Sequence, residues 1–483
     1  MSWLNRADIL GEDTQQLEKK CHQDLKKLIH RRLRRTEQND TTEQNDNRRH
    51  RLMPRLPHLT NDSKDRRRDS ESLSYRDQRV KSGAQSTSMQ SKPQSKPQSK
   101  PISDTVNVIE SASYVIESSG YYRLGKSLTA TSNTPAITIR GQNVILDCDI
   151  YEINISDEAT GLFVDGSSRI TILNPKLVSA STANTTNYGI SVINSKDVNI
   201  QKGVFEKLFR GISSHNSHNL QLFKCQCRDI NENVFTGIQR LSIKEVDFYN
   251  STIGSNLFKE TNDINLKNIS GTNMTFRLMD LHNVMVSKLI MHLGDSEFTD
   301  GIFILSNVNH LQMSDLILRN QSASPQANGI SIKNGSNLMG SHLQIELASS
   351  SGSNESCGAH MLITGSTTDI HLDNCHFTGS MKHSLKASGE IRGLICKNIT
   401  FRGTIGSLLQ LSGISESRFH DCSMMSSGDT SIRVDTSSCG NEFSNCLVSS
   451  NNNASYHFDA TTSRNWVLNH RGRQLIDLGS NFI

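Results

Sequence analysis

Asp300, in the stretch FTDGI (298–302), and His360, in GAHM (358–361), are the residues whose types most invite a chemical reading. A carboxylate at a turn and an imidazole on a strand are the parts of a general acid–base site. Cleaving a glycosidic bond takes two carboxylates placed on either side of it, and Asp300 alone does not supply both. The expectation is therefore that Asp300 caps a turn and that His360 sits on the outer face of a strand. No catalytic residue is assigned, and Asp300 with His360 is the pair an enzymatic alternative would use. His215, His218, His371 and His376 are scattered without metal-ligand spacing, so no metal and no cofactor are expected. Ten cysteines contain no CxxC pair, and no GxxxxGK loop occurs.

The elements that carry these residues repeat. GISVINSKDVNIQKGVF (189–205) is echoed by GIFILSNVNHLQMSDLIL (301–318) and GISIKNGSNLMGSHLQI (329–345). Each opens on Gly-Ile, breaks at a polar cluster, and resumes as apolar-x-apolar-x-polar-apolar-x-apolar. From Val144 to Trp466 this phrase starts fourteen times, about 25 residues apart. Alternation with period two means strands with one face inward. The polar fifth place (Asn174, Lys202, Asp315, Asn374, Asp421, Asn445) marks a bend between two short strands. Three short strands per repeat make one coil of a parallel β-helix, with coils stacked at roughly 4.8 Å. Leucine-rich repeats need an absent Leu and Asn framework, and propeller blades need longer units.

Cys225, Cys375, Cys422 and Cys446 share the sixth place of the phrase, where Val246, Ile269, Leu289 and Leu316 stand in other copies. They should point inward as small hydrophobes, reduced rather than paired. The stretch 121–153 reads as an opening unit, with Tyr121 and Tyr122 expected to cover the open end.

On these repeats, residues 115–470 resemble the right-handed parallel β-helix superfamily of pectate lyases, polygalacturonases and phage tailspikes. The resemblance implies an all-β, right-handed parallel β-helix of about fourteen coils. The polygalacturonase motif Asn-Thr-Asp-Gly is matched by Thr299, Asp300 and Gly301 but lacks its Asn. Where the paired aspartates of that family would follow stand Ala327 and Asn328. Its Gly-His-Gly is echoed only at His360, and its Arg-Ile-Lys is missing. The lyase pattern of clustered aspartates is not found either.

Charge divides the chain. Residues 1–100 hold 23 Lys and Arg against 14 Asp and Glu; residues 101–483 hold 29 against 34. Residues 1–35 are expected to form an amphipathic basic helix with Leu17, Cys21, Leu25 and Leu28 on one face. Residues 36–104, with SKPQSKPQSKP at 91–101, are expected to be a disordered linker, because proline every fourth residue forbids helix and sheet and too little apolar surface offsets chain entropy. Residues 105–483 are expected to be the β-helix domain. Partner or assembly docking is assigned to residues 1–35, and the basic arm is expected to make at most non-specific nucleic acid contact.

No run of 18 apolar residues occurs, so no membrane span is expected. The first residues lack a signal-peptide core, which points to a cytoplasmic or virion protein outside the classical secretory route. The function expected from all this is a non-enzymatic structural or interaction protein, a rigid rod tethered by its arm. The alternative is a polysaccharide-active enzyme, hydrolase or lyase, or a carbohydrate-binding module, with glycan on the β-helix face.

Overall fold

The computed structural model describes residues 106–482, apart from 132–133, 180–185, 250–254, 294–301, 321–327, 348–357, 436, 451–454, 470–474 and 478–479. The helix expected over 1–35, the linker over 36–104, and Asp300 all lie outside these residues. The described chain is a right-handed parallel β-solenoid of about 13 turns, close to the fourteen expected from the phrase count. Its named strands join one sheet of 39 strands with parallel pairing throughout. Among the described residues, no helix is long and apolar enough to cross a membrane.

The stack keeps one register for most of its length. Thr171 pairs with Asn199, Asn199 with Gln221, Gln221 with Ser242, and Ser242 with Asn265. The same column continues through Met285, Gln312, Met339, His371 and Ile395. Register is held because one face is apolar and buried, and a slip of one residue would turn it to water. Ile200 and Leu372, both inward by the phrase, are 0% and 1% exposed.

The bend inferred at the fifth place has a clear backbone cause. Asn174, Lys202, Asp315, Asn374, Asp421 and Asn445 all adopt φ between +52° and +55°. Asn and Asp tolerate this left-handed conformation better than other L-residues. Their amides also tie the corner across coils: Asn174 Nδ2 donates to Asp147 Oδ1 at 3.0 Å, and Asn469 Nδ2 to Asn445 Oδ1 at 2.9 Å.

The interior follows the alternation. Cys225, Cys375, Cys422 and Cys446 are buried, as are Val246, Ile269, Leu289 and Leu316. Buried phenylalanines stack between coils, with centroids 5.1 Å apart for Phe235–Phe258 and 4.9 Å for Phe419–Phe443. Such pairs add to the burial of their area. Tyr121 and Tyr122 do not cover the end. Their strand, Gly120–Leu124, lies between Val106–Ile109 and Gln142–Asp147, and pairs with both. Tyr122 is buried and bonds Ser118, while Tyr121 donates to Asp147 Oδ2 at 2.9 Å. A paired neighbour on each side leaves no end for them to cap.

Candidate functional site

His360 is not on the outer face. It is 0% exposed, its Nε2 lies 2.8 Å from the Thr378 carbonyl, and its ring stacks on Phe377. Burial is the main influence on its pKa, which falls to about 4, partly offset by the bond to Thr378. A neutral, enclosed imidazole bonded to backbone does not meet a polymer at the surface. His360 serves the core.

The chemistry-bearing side chains instead gather on the outer face of five successive coils. The strands Thr275–Leu293, Phe303–Asn320, Ser336–Ser341, Ala359–Asp373 and His383–Lys397 lie side by side there. One outward column is Met285, Gln312, Met339, His371 and Ile395. On one side of it lies a shallow groove of about 570 Å³, edged by Asn283, His310, Asn337, Asp369 and Gly393. On the other lies a hollow of about 360 Å³, edged by Ser287, Ser314, Ser341 and Asp373. The column forms a ridge between the two. Met285 and Met339 are about half exposed, an unusual state for methionine on a soluble surface.

Asp369, His371 and Asp373 come from one strand at alternate places, so all three face outward around buried Ile370 and Leu372. Their two carboxylates differ. Asp373 accepts hydrogen bonds from Asn374 Nδ2 at 3.0 Å and Asn398 Nδ2 at 3.3 Å. Asp369 stands at φ +54° in a column where an amide often reaches back over an aspartate. Asn219 does so to Asp197 at 2.7 Å, and Asn283 to Asp263 at 3.0 Å. The coil beyond Asp369 instead offers Gly393, at φ +71°. No side chain from that position covers the carboxylate.

This triplet was missed in the sequence because acids were sought at matching places in neighbouring coils. The structure collects them along a single strand. The signal was present as TTDIHLD (367–373), where period two puts the three polar groups on one face. Among the described residues, no group of three or more His, Cys, Asp or Glu could hold a metal ion.

No protein-family model matches the chain, and no curated protein matches it either. Solved structures do. Tailspike protein 3 of bacteriophage CBA120 is 11% identical, with a TM-score of 0.38 over 73% of this chain and 57% of its own. The A-module of a mannuronan C-5 epimerase from Azotobacter vinelandii is 11% identical, with a TM-score of 0.29 over 76% of this chain and 90% of its own. The catalytic domain of an alpha-1,3-glucanase, solved in complex with tetrasaccharides, is 12% identical, with a TM-score of 0.33 over 78% and 70%. The chain therefore spans a little over half the length of the tailspike it matches. Its neighbours are tailspike and other parallel β-helix proteins, and at these identities the likeness is one of fold.

These neighbours correct two expectations, that the protein is a non-enzymatic structural or interaction protein and that it has no enzymatic activity. Both took a repetitive rod with an incomplete acid pair as grounds against catalysis. Solved parallel β-helix proteins include, by their names, an epimerase module and the catalytic domain of a glucanase. The architecture gives no such grounds.

Proposed function

We propose that the protein is a polysaccharide-active enzyme whose substrate strand lies along the outer face between Asn283 and Ile395. The observation that carries this reading is the placement of Asp369, His371 and Asp373 on one strand, with Asp369 in one groove, Asp373 in the adjoining hollow and His371 on the ridge that both share with Met285 and Met339. Planar amides and carboxylates hydrogen-bond sugar hydroxyls, and exposed thioethers pack against sugar C–H faces. Asp369, uncovered beneath Gly393, is the group that exchanges a proton with the glycosidic oxygen. Asp373, four residues along the same strand and so about 13 Å away at about 3.3 Å per residue, is too far to flank the same bond and binds the sugar chain instead, which leaves His371 as the second proton-transfer group. His371 lies between them.

The test is turnover on a panel of neutral and acidic polysaccharides, read as reducing ends, for the native chain and for Asp369→Asn, His371→Ala and Asp373→Asn. Losing a proton-transfer group should lower the rate by about 100-fold or more while the melting temperature holds. Binding without turnover, unaffected by all three changes, would make the site a carbohydrate-binding module. Neither binding nor turnover on any polymer would end the reading. The setting proposed with it is a virion, with residues 1–35 docking the solenoid into an assembly and the basic arm touching nucleic acid non-specifically. Deleting residues 1–35 should then abolish incorporation and leave turnover intact.

A further inference from the structure

Five consecutive coils carry one lysine each at the same corner: Lys202, Lys224, Lys244, Lys267 and Lys288. Lys244 and Lys267 are register partners, and Lys244 also pairs with Phe223, the residue before Lys224. All five are exposed. At roughly 4.8 Å per coil they span about 19 Å along the solenoid. Residues 101–483 hold 29 Lys and Arg against 34 Asp and Glu, so a run of five cations here is not a sample of a basic body. Among the described residues, Lys224 pairs with Glu245 at 3.6 Å, and the other four make no ion pair.

Backbone conformation supplies an independent sign. Lys202, Lys224 and Lys288 have φ of +54°, +54° and +55°. They occupy the corner column that elsewhere holds Asn174, Asn268, Asn374, Asn398, Asn445 and Asn469, Asp315 and Asp421, and also Glu245 and His342. Lysine is a poor residue for this conformation, and asparagine is a good one. Three unfavourable choices in one column, beside two more lysines in the next, break the local rule of the fold. Such breaks concentrate where function requires them.

The lysine corner also continues the candidate site. Lys244 and Lys267 belong to the register column that runs on through Ser287, Ser314 and Ser341 to Asp373. A strand lying in the hollow beside His371 and extended towards the N-terminal end of the solenoid passes over these lysines. We propose that the corner is a binding strip for the anionic substituents of a glycan strand, carboxylate, sulfate or phosphate, three to seven coils away from the Asp369–Asp373 centre. This deepens the polysaccharide reading and rests on it. A nucleic acid is the competing polyanion, and the corner favours it less: Phe223 is the one aromatic side chain among these lysines and their register partners, and Lys224 already lies 5.1 Å from its ring centroid.

The experiment uses the full chain, so that the basic arm contributes equally to every sample. Lys202→Asn, Lys224→Asn and Lys288→Asn are combined, since asparagine is the residue this corner prefers. Binding to immobilised polygalacturonate is measured across salt concentrations, with dextran and a 20-nucleotide single-stranded DNA as comparisons. A second variant, Lys126→Gln with Lys333→Gln, controls for charge elsewhere on the solenoid. The triple variant should bind polygalacturonate more weakly, on the order of tenfold, with a shallower salt dependence. Its melting temperature should hold or rise, and the control should bind as the native chain does. Unchanged polygalacturonate binding by the triple variant would overturn the proposal. So would a loss confined to DNA, which would assign the strip to nucleic acid. Turnover is not read here, so failure of the enzymatic reading leaves a different signature: lysine-dependent retention of a polymer that is never cleaved.

Discussion

Gly393 stands one coil beyond Asp369, and a Cβ placed on it would lie 3.2 Å from the Asp369 Oδ1. The glycine therefore keeps open the one carboxylate of the triplet that no amide covers. Its φ of +71° is also one that asparagine accepts. Gly393→Asn should place an amide over Asp369, as Asn283 does over Asp263. We expect turnover to fall by about tenfold or more while thermal stability holds or improves, since a side chain reduces the freedom of the unfolded chain. Assay of the purified variant beside its melting curve checks this. Full activity would mean that Asp369 needs no open face.

The buried histidines should make the solenoid acid-sensitive. Burial is the main cause that lowers both His360 and His383 to about 4, each against a backbone carbonyl. In the unfolded chain an imidazole titrates near 6.5. Between those values the unfolded state binds more protons, so stability is present above about 6.5 and is lost as the pH falls towards 4. The loss is on the order of 3 kcal/mol per histidine by pH 4. Denaturant unfolding at pH 7, 5.5 and 4.5 should follow this slope, and His360→Leu should remove about half of it. A flat profile from pH 7 to 4.5 would contradict the burial of both rings.

The inward register can be tested at the thiols. Burial is the main influence on Cys225 and Cys375, pushing each up to about 11, so neither forms much thiolate at neutral pH. Among the described cysteines, exposed Cys439 should label in the native protein, and Cys225 and Cys375 only after unfolding, as peptide mass spectrometry would show. The same register makes Leu372→Lys severe. It would bury an unpaired charge at a site that is 1% exposed, costing several kcal/mol. Soluble, fully folded Leu372→Lys would mean the strand is displaced by one residue.

The sequence by itself determined the coil. Period-two alternation, a repeat of about 25 residues and a polar fifth place suffice to specify three strands and a left-handed corner, because backbone sterics and burial act within a single repeat. The inward cysteines followed from the same local rule. What the sequence did not decide is which outward residues of different coils become neighbours. Met285, Gln312, Met339 and His371 lie 27, 27 and 32 residues apart in turn, and loops of unequal length intervene. Their meeting depends on the register of stacking. His360 was misplaced for a related reason. Whether a polar residue near the start of a strand faces in or out depends on the path of the preceding corner, and Phe377 and Thr378, from the far side of the same coil, enclose it. Local alternation writes the fold, and the stacking of distant coils assembles the site.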